Sequence, residues 1–143
     1  MTDTYTTSIR IDAQPAEVFP YLIDPALIVR WMGDWADLDP APGGKLVLDI
    51  NGVPIRGEYV VVDPPRRVVF TWGAAGSETI APGSTTVEIL LHADGDGTRL
   101  ELAHRGLPPE EQAQHSTGWS HFLDRLAVAG AGGDPGPDPW AER

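Results

Sequence analysis

The sequence contains no cysteine among its 143 residues. A disulfide framework, a cysteine nucleophile, a thiolate zinc site and an iron–sulfur cluster are therefore all excluded. Basic residues are also few, since 10 Lys and Arg stand against 21 Asp and Glu, which gives a formal net charge of −11. A surface of this sign repels phosphate backbones and anionic lipids, so neither nucleic acid nor a membrane is expected as a partner.

Long hydrophobic runs are lacking as well. No segment approaches the roughly 18 consecutive apolar residues of a membrane span. The N-terminal stretch MTDTYTTSIRID has no basic start followed by an apolar run, unlike a signal peptide. Together with the absence of cysteine, this predicts a cytoplasmic protein. A single lysine, Lys45, in a chain rich in Arg, Ala, Gly and Pro is typical of a GC-rich bacterial genome.

The first part of the chain predicts one strand and two short helices. Residues 5–12 are rich in Thr and Ile and alternate polar with apolar positions, which favours a strand. Pro15 suits the first turn of a helix, whereas Pro20 lies late enough to shorten or kink it. Asp24, followed by proline, is typical of a second helix N-cap, and that helix should reach residue 30 or 31. Residues 33–44 are expected to form a loop.

The middle of the chain predicts an antiparallel meander of strands joined by short turns. Asn51-Gly52 is a strong two-residue hairpin signal and sets a register in which Ile50 pairs with Val53. The same register places Lys45 opposite Glu58 on the outer face. The predicted strands are 45–50, 53–63, 67–72, 85–93 and 98–105.

The last helix is predicted from about residue 108 to residue 129. Its apolar stripe has helical spacing and consists of His115, Trp119, Phe122, Leu123 and Leu126. The opposite face carries His121, Asp124 and Arg125. These assignments divide the chain into one domain at 1–129 and a Gly/Pro-rich C-terminal tail at 130–143.

This order of elements predicts an α+β fold. A curved antiparallel sheet of about six strands needs a cover for its apolar face, and the C-terminal helix is long enough to provide it. The two short helices after the first strand close one end. Where sheet and helix do not touch, an apolar cavity remains, and small ligands bind in such cavities.

An ordered set of short motifs carries a resemblance to a known family. The set comprises Ile11-Asp-Ala-x-Pro15-x-x-Val18-Phe19, Asp24-Pro25, Arg30-Trp31, Trp35, Pro42-Gly43-Gly44, Gly57-Glu58-Tyr59, Asp63 to Trp72, Thr98-Arg99-Leu100, His104-x-Gly106-Leu107 and Gly118-Trp119. Over residues 5–129 the chain resembles the START-like, or SRPBCC, superfamily with the helix-grip fold. More narrowly, it is similar to the bacterial proteins named after the C-terminal domain of the activator of heat-shock protein 90 ATPase. Pro20 departs from that pattern and alters the expected shape of one end of the cavity.

The resemblance implies a fold more strongly than an activity, because superfamily members bind lipids, hormones or polyketides and some are cyclases or aromatases. A small hydrophobic or aromatic ligand held between sheet and C-terminal helix is the first hypothesis. The alternatives are a cyclase-, aromatase- or hydrolase-type enzyme that uses cavity histidines, and a chaperone-related or stress-response interaction protein. The catalytic residues of the enzyme alternative are unknown. The acidic surface and complete covering helix favour a monomer or weak homodimer.

The candidate ligand-binding residues lie on predicted inward faces or at the helix-to-loop transition where a cavity would open. They are Trp31, Trp35, Tyr59, Phe70, Trp72, Leu102, His104, His115, Trp119 and Phe122. His104 and His115 should meet near the mouth of the cavity. There they either orient a ligand or act as acid and base, or they form a hydrogen-bonded pair at the edge of the core.

Glu58 and the remaining histidines are two further candidate sites. The hairpin register points Tyr59 inward and Glu58 outward, but a bulge in Val60-Val61-Val62 would reverse this and make Glu58 a candidate general base. His115 and His121 are six residues apart on a helix and cannot share one ion, so no metal site is expected. No cofactor is expected either, and no glycine-rich phosphate loop is present: Gly43-Gly44 precedes a strand, whereas a phosphate cradle needs the start of a helix.

Overall fold

The computed structural model describes residues 4–142. Residues 1–3 of the predicted domain and residue 143 of the predicted tail lie outside the described residues. The strands are β1 (Tyr5–Ile11), β2 (Trp35–Leu38), β3 (Lys45–Ile50), β4 (Val53–Asp63), β5 (Arg67–Trp72), β6 (Thr85–Asp94) and β7 (Gly97–Arg105). The helices are α1 (Pro15–Val18), α2 (Pro25–Ile28) and α3 (Pro109–Gly130), with short 3-10 helices at Phe19–Leu22 and Pro139–Glu142.

The sheet is antiparallel throughout and has seven strands in the order β1-β7-β6-β5-β4-β3-β2. The predicted α+β class and helix-grip architecture are therefore confirmed, with one strand more than expected. The additional strand is β2, which lies within the 33–44 segment, so the prediction of a continuous loop there was wrong. Its four residues carry no apolar alternation, and pairing with β3, from Trp35 opposite Asp49 to Leu38 opposite Leu46, makes them a strand.

The β3–β4 hairpin has the predicted register. Ile50 pairs with Val53 and Lys45 with Glu58, around an Asn51-Gly52 turn in which both residues have positive φ. Lys45 nevertheless forms its ion pair with Asp37 on β2, at 2.6 Å between Nζ and Oδ2. The neighbouring strand β2, absent from the sequence-based prediction, therefore supplies the partner of this lysine.

A bulge interrupts β4 where three valines follow one another. Tyr59 is opposite Phe70 and Val61 is opposite Val69, so Val60 is the extra residue. Because the bulge follows Tyr59, it leaves Tyr59 fully buried and Glu58 exposed. Glu58 therefore does not turn inward as a general base. A bulge bends the strand and strengthens its twist, and this one lies where β4 stops pairing with β3 and starts pairing with β5.

Local sequence signals account for the short helices. The helix begun by Pro15 ends at Val18, and a 3-10 helix containing Pro20 continues it, which confirms the predicted break. Asp24 is the N-cap of α2, and its Oδ1 accepts a hydrogen bond from the backbone N–H of Ala26 at 2.8 Å. α2 ends at Ile28, two or three residues earlier than expected.

The core lies between the concave face of the sheet and α3. The inward residues of β5, β6 and β7 are buried together with Trp119, Phe122, Leu123 and Leu126 of the helix. At its C-terminal end α3 comes close to β1, since a Cβ atom on Gly130 would lie 3.2 Å from Ile11. Within residues 4–142, no helix is both long and apolar enough to cross a membrane.

Candidate ligand-binding groove

A groove of about 500 Å³ opens between the N-terminal half of α3 and the sheet. It lies away from the tight contact that α3 makes at Gly130. Six parts of the chain contribute to its lining: the segment between α2 and β2, the β3–β4 hairpin, β5, the loop 73–84, α3 and the C-terminal tail. The lining residues are Met32, Ile50, Asn51, Val53, Ile55, Trp72, Ala74, Ser77, Ile80, Glu111, Gln114, His115, Gly118, Trp119, Phe122 and Trp140.

Aromatic side chains form the inner wall of the groove. Trp72 and Trp119 lie with ring centroids 5.3 Å apart and planes inclined by 43°. At the other end Phe122 contacts Trp140 in an edge-to-face arrangement with centroids 5.7 Å apart. Such rings present apolar faces on which a flat ligand can stack. Charge is sparse, because the described lining residues include Glu111 but neither Lys nor Arg.

One donor beside the groove is unsatisfied. The Trp72 side chain lines the groove, and within residues 4–142 its buried indole Nε1–H has no hydrogen-bond partner. An unpaired buried N–H costs roughly 1–3 kcal/mol.

His104 lies behind the aromatic wall and is fully buried. Thr85 Oγ1 donates to the backbone carbonyl of Trp72 at 2.7 Å, so the same hydroxyl must accept from His104 Nε2–H at 2.8 Å. His104 Nδ1 then carries the lone pair, and the Trp119 indole N–H donates to it at 3.1 Å. This network assigns the neutral Nε2–H tautomer and uses both ring nitrogens.

The electrostatic setting agrees with that assignment. Burial, with a smaller contribution from nearby His115, lowers the pKa of His104 to about 3. His104 is therefore neutral at physiological pH and holds the Trp119 indole in place. Because both nitrogens are occupied and the ring is buried, His104 has no free atom to offer a ligand.

His115 faces the groove, and its ring is edge-on to His104 with centroids 5.2 Å apart. Its Nδ1 lies 3.1 Å from the backbone carbonyl of Glu111 and 3.5 Å from the Glu111 carboxylate. A carbonyl and a carboxylate only accept, so Nδ1 is the donor in both contacts. The two histidines meet as predicted, but their roles differ.

The loop 73–84 is fastened to α3 on this side. Thr79 donates through its hydroxyl to the Glu111 carboxylate, Oγ1 to Oε2 at 2.5 Å. Ser77 Oγ accepts from the backbone N–H groups of Thr79 and Ile80, which closes a tight turn. Glu111 therefore has a partner on each side, Thr79 and His115, and is held at the edge of the groove.

The tail folds back across the other end of α3. The Trp140 indole stacks on His121 with ring centroids 3.7 Å apart and planes within 7°. Asp138 accepts from His121 Nε2 at 2.8 Å and from Asn51 Nδ2 at 3.4 Å. These hydrogen bonds and one from the Trp140 backbone N–H outweigh the effect of burial and hold the pKa of Asp138 below its usual value.

A second anchor fixes the beginning of the tail. Arg125 donates to the backbone carbonyls of Pro135 and Gly136, and on its other side to those of Arg30 and Trp31. The helix face assigned to His121 and Arg125 from the sequence therefore points toward the tail. Amphipathic periodicity does not reveal this, because both side chains are polar and the tail has no regular pattern.

The ten residues predicted for the site separate into three groups. Trp72, His115, Trp119 and Phe122 line the groove. Four others, namely Tyr59, Phe70, Leu102 and His104, are buried in the core behind it. Tyr59 donates to the Leu22 carbonyl at 3.1 Å, and burial raises the pKa of its phenol.

The remaining two predicted residues, Trp31 and Trp35, lie away from the groove rather than at its mouth. Trp31 is buried, and its indole N–H donates to the Tyr21 carbonyl at 3.0 Å. Trp35 is 51% exposed on the edge strand β2. The sequence-based list also omitted Asn51, Glu111 and Trp140. These three residues belong to the hairpin turn, the first turn of α3 and the tail, and the sequence predicts only a local role for each of these segments. No pattern in the sequence indicates that the three segments meet.

No group of three or more His, Asp or Glu side chains in residues 4–142 is arranged to hold a metal ion. His92, on the outer face, instead pairs with Glu101 across β6 and β7, at 2.6 Å between Nε2 and Oε1.

Comparison with solved structures gives close matches. An AHSA1-like protein of Rhizobium etli is 43% identical, with 97% of this chain and 88% of that chain covered and a TM-score of 0.76. CalU16 of Micromonospora echinospora is 30% identical, over 90% of this chain and 76% of that one, with a TM-score of 0.73.

DynU16, a protein of the dynemicin biosynthetic locus, is 26% identical, with a TM-score of 0.81. The match covers 94% of this chain but 49% of DynU16, so this chain spans about half the length of that relative. Comparison with the curated proteins gives no match.

The family model described as activator of Hsp90 ATPase homolog 1-like protein matches residues 12–130. That range begins just after β1 and ends with the last residue of α3, so it includes both walls of the groove and leaves out the tail. The extent of the match and the helix-grip architecture lead to one assignment. The chain belongs to the activator of Hsp90 ATPase homolog 1-like family of START-like proteins.

Proposed function

We propose that this protein binds a small, uncharged hydrophobic or aromatic molecule in the groove between α3 and the sheet. The observation that carries the proposal is the open aromatic groove with an unsatisfied indole donor, Trp72 Nε1, beside it. Its volume of about 500 Å³ lies within the range of small-molecule sites. The scarcity of charge in the lining and the net charge of −11 disfavour an anionic ligand.

Gly118 provides a sharp test, because it lines the groove and a Cβ atom there would meet nothing within 4 Å. Gly118→Leu should fill the groove without a clash and should strengthen the helix. Thr117→Leu, on the exposed face of the same helix, is the matched control. Binding is followed by the fluorescence of the neutral probe N-phenyl-1-naphthylamine, and native mass spectrometry of freshly purified protein tests for a retained ligand.

The wild type and Thr117→Leu should bind the probe alike, and Gly118→Leu should bind at least tenfold more weakly while remaining folded. Equal binding by all three proteins would place the probe outside the groove and contradict the proposal. No binding by the wild type, with bare polypeptide mass in the mass spectrum, would also contradict it.

An enzyme of the hydrolase or cyclase type is the second candidate function, and the Glu111–His115 arrangement favours it. His115 lines the groove and donates through Nδ1 to the backbone carbonyl of Glu111, so Nε2 is the ring nitrogen that could serve as a base. Hydrolysis of neutral aromatic esters, measured against pH, tests this candidate. Turnover should disappear in His115→Gln and persist in His92→Gln on the outer face.

A further inference from the structure

We infer that residues 134–140 form a latch across one end of the groove and that Trp140 is a ligand-contacting, specificity-determining residue. This inference rests on the proposed function of ligand binding. Trp140 lines the groove together with Phe122 and Trp119, although it lies ten residues beyond the end of α3. It also lies outside residues 12–130, the part of the chain that matches the family model.

The latch is attached to both walls of the groove. Asp138 accepts a hydrogen bond from His121 on α3 and another from Asn51 in the β3–β4 hairpin. One carboxylate therefore bridges the helix and the sheet across the opening. Because Asn51 itself lines the groove, this bridge lies at the groove and not at a distant surface.

Stacking holds the indole in position. One face of the Trp140 ring is covered by His121, with centroids 3.7 Å apart, and Phe122 contacts it edge-on. Held in this way, Trp140 is one of the residues that line the groove. It extends the wall formed by Trp72 and Trp119, and a wall of this kind favours flat aromatic ligands over globular aliphatic ones of equal volume.

The attachments suit a segment that opens without unfolding the domain. They are a few part-buried hydrogen bonds and one stacked pair, whereas the core beneath is an extensive apolar cluster. Gly132 and Gly136 have positive φ, a conformation that glycine adopts without strain, and they lie at the start of the tail and within the latch. Arg125 donates to the carbonyls of Pro135 and Gly136, which anchors the N-terminal end of the latch.

The consequence is kinetic. A ligand under Trp140 must wait for the latch to detach before it leaves, so loss of the latch should raise the dissociation rate more than it lowers the association rate. Removal of one stacking aromatic side chain should lower the affinity for the ligand by up to about tenfold. Breaking the Asp138 bridge should have a smaller effect of the same sign, because Trp140 is retained.

The test is stopped-flow dissociation of N-phenyl-1-naphthylamine from the full-length chain. Trp140→Ala should raise the dissociation rate about tenfold, Asp138→Ala should raise it several-fold, and Trp140→Phe should restore part of the loss. Val60→Ala removes an exposed apolar side chain from the bulge in β4 and is the control. Circular dichroism melting confirms that each variant is folded.

The outcomes separate the two proposals. If the wild type binds the probe and both Trp140→Ala and Asp138→Ala release it within twofold of the wild-type rate, the latch is refuted and ligand binding stands. If the wild type binds no probe, the proposed function fails and the latch fails with it. If Trp140→Ala accelerates release but Asp138→Ala does not, Trp140 contacts the ligand without a carboxylate bridge, and the latch part of the inference is overturned.

Discussion

Lowering the pH from 7 to 5 should weaken the fold through one side chain, His104. In the folded protein this ring is fully buried, uses both nitrogens in hydrogen bonds to Thr85 and Trp119, and has a pKa of about 3. In the unfolded chain a histidine has a pKa near 6.5. Between these two values the unfolded state binds a proton that the folded state does not, so stability must fall as the pH falls.

The size of the effect follows from the two pKa values. Below pH 6.5 the free energy of unfolding should decrease by about 1.4 kcal/mol for each pH unit until the folded-state pKa of about 3 is reached. Integrated from pH 7 to pH 5, the His104 contribution is about 2 kcal/mol. That is a large fraction of the 5–15 kcal/mol by which a domain of this kind is typically stable.

Urea denaturation at several pH values between 5 and 7 measures this contribution when the wild type is compared with His104→Asn. The asparagine cannot titrate, and its side-chain oxygen can replace Nδ1 as the acceptor for the Trp119 indole. The variant should be less stable at pH 7, by about 1–3 kcal/mol for lost volume and one lost hydrogen bond, but its stability should depend less on pH.

The other histidines are present in both proteins, so the difference between the two curves isolates His104. Equal losses for the wild type and His104→Asn between pH 7 and pH 5, within about 0.5 kcal/mol, would refute the assignment of a neutral buried His104.

Three other substitutions have defined outcomes. Gly57→Ala would place a Cβ atom 2.0 Å from the Thr71 carbonyl oxygen, so we expect circular dichroism to show loss of the native fold. Gly118→Ala has free space around the new Cβ atom and should raise the free energy of unfolding by up to about 1 kcal/mol. Glu88→Gln should cost about 1 kcal/mol at pH 7. A hydrogen bond from Arg105, opposed by burial and aided by Arg67, lowers the pKa of Glu88. The ionised Glu88 carboxylate therefore stabilises the fold above its unfolded-state pKa, and this contribution is lost as the pH falls through the folded-state pKa. In urea titrations at strongly acidic pH, the wild type and Glu88→Gln should be equally stable.

The fold was largely predictable because its strands carry local signals. The Asn51-Gly52 turn fixed the β3–β4 register, and alternating apolar residues marked β5, β6 and β7 with nearly correct ends. The exception is β2, whose four residues become a strand because β3 is available beside them. The intrinsic strand propensity of these four residues does not predict that they pair with β3.

The groove was only partly predictable for a related reason. Trp72, His115, Trp119 and Phe122 lie on faces that periodicity identifies, and they do line it. Periodicity shows that a side chain points inward, but it does not distinguish a filled part of the core from an open one. That is why His104 and Tyr59 were assigned to the site although both lie behind it, and why Trp140, in an aperiodic tail, was not.

The bulge at Val60 bends β4 without changing the face of the sheet on which the other side chains of the strand lie. With Val60 as the extra residue, Tyr59 and Val62 both belong to the core side, just as they would in a regular strand that lacked Val60. A chain shortened by this one residue would therefore keep every side chain of β4 on its present face and would lose the bend. The curvature of the sheet can thus vary between relatives by insertion or deletion at one position, while the residues that fill the core stay the same.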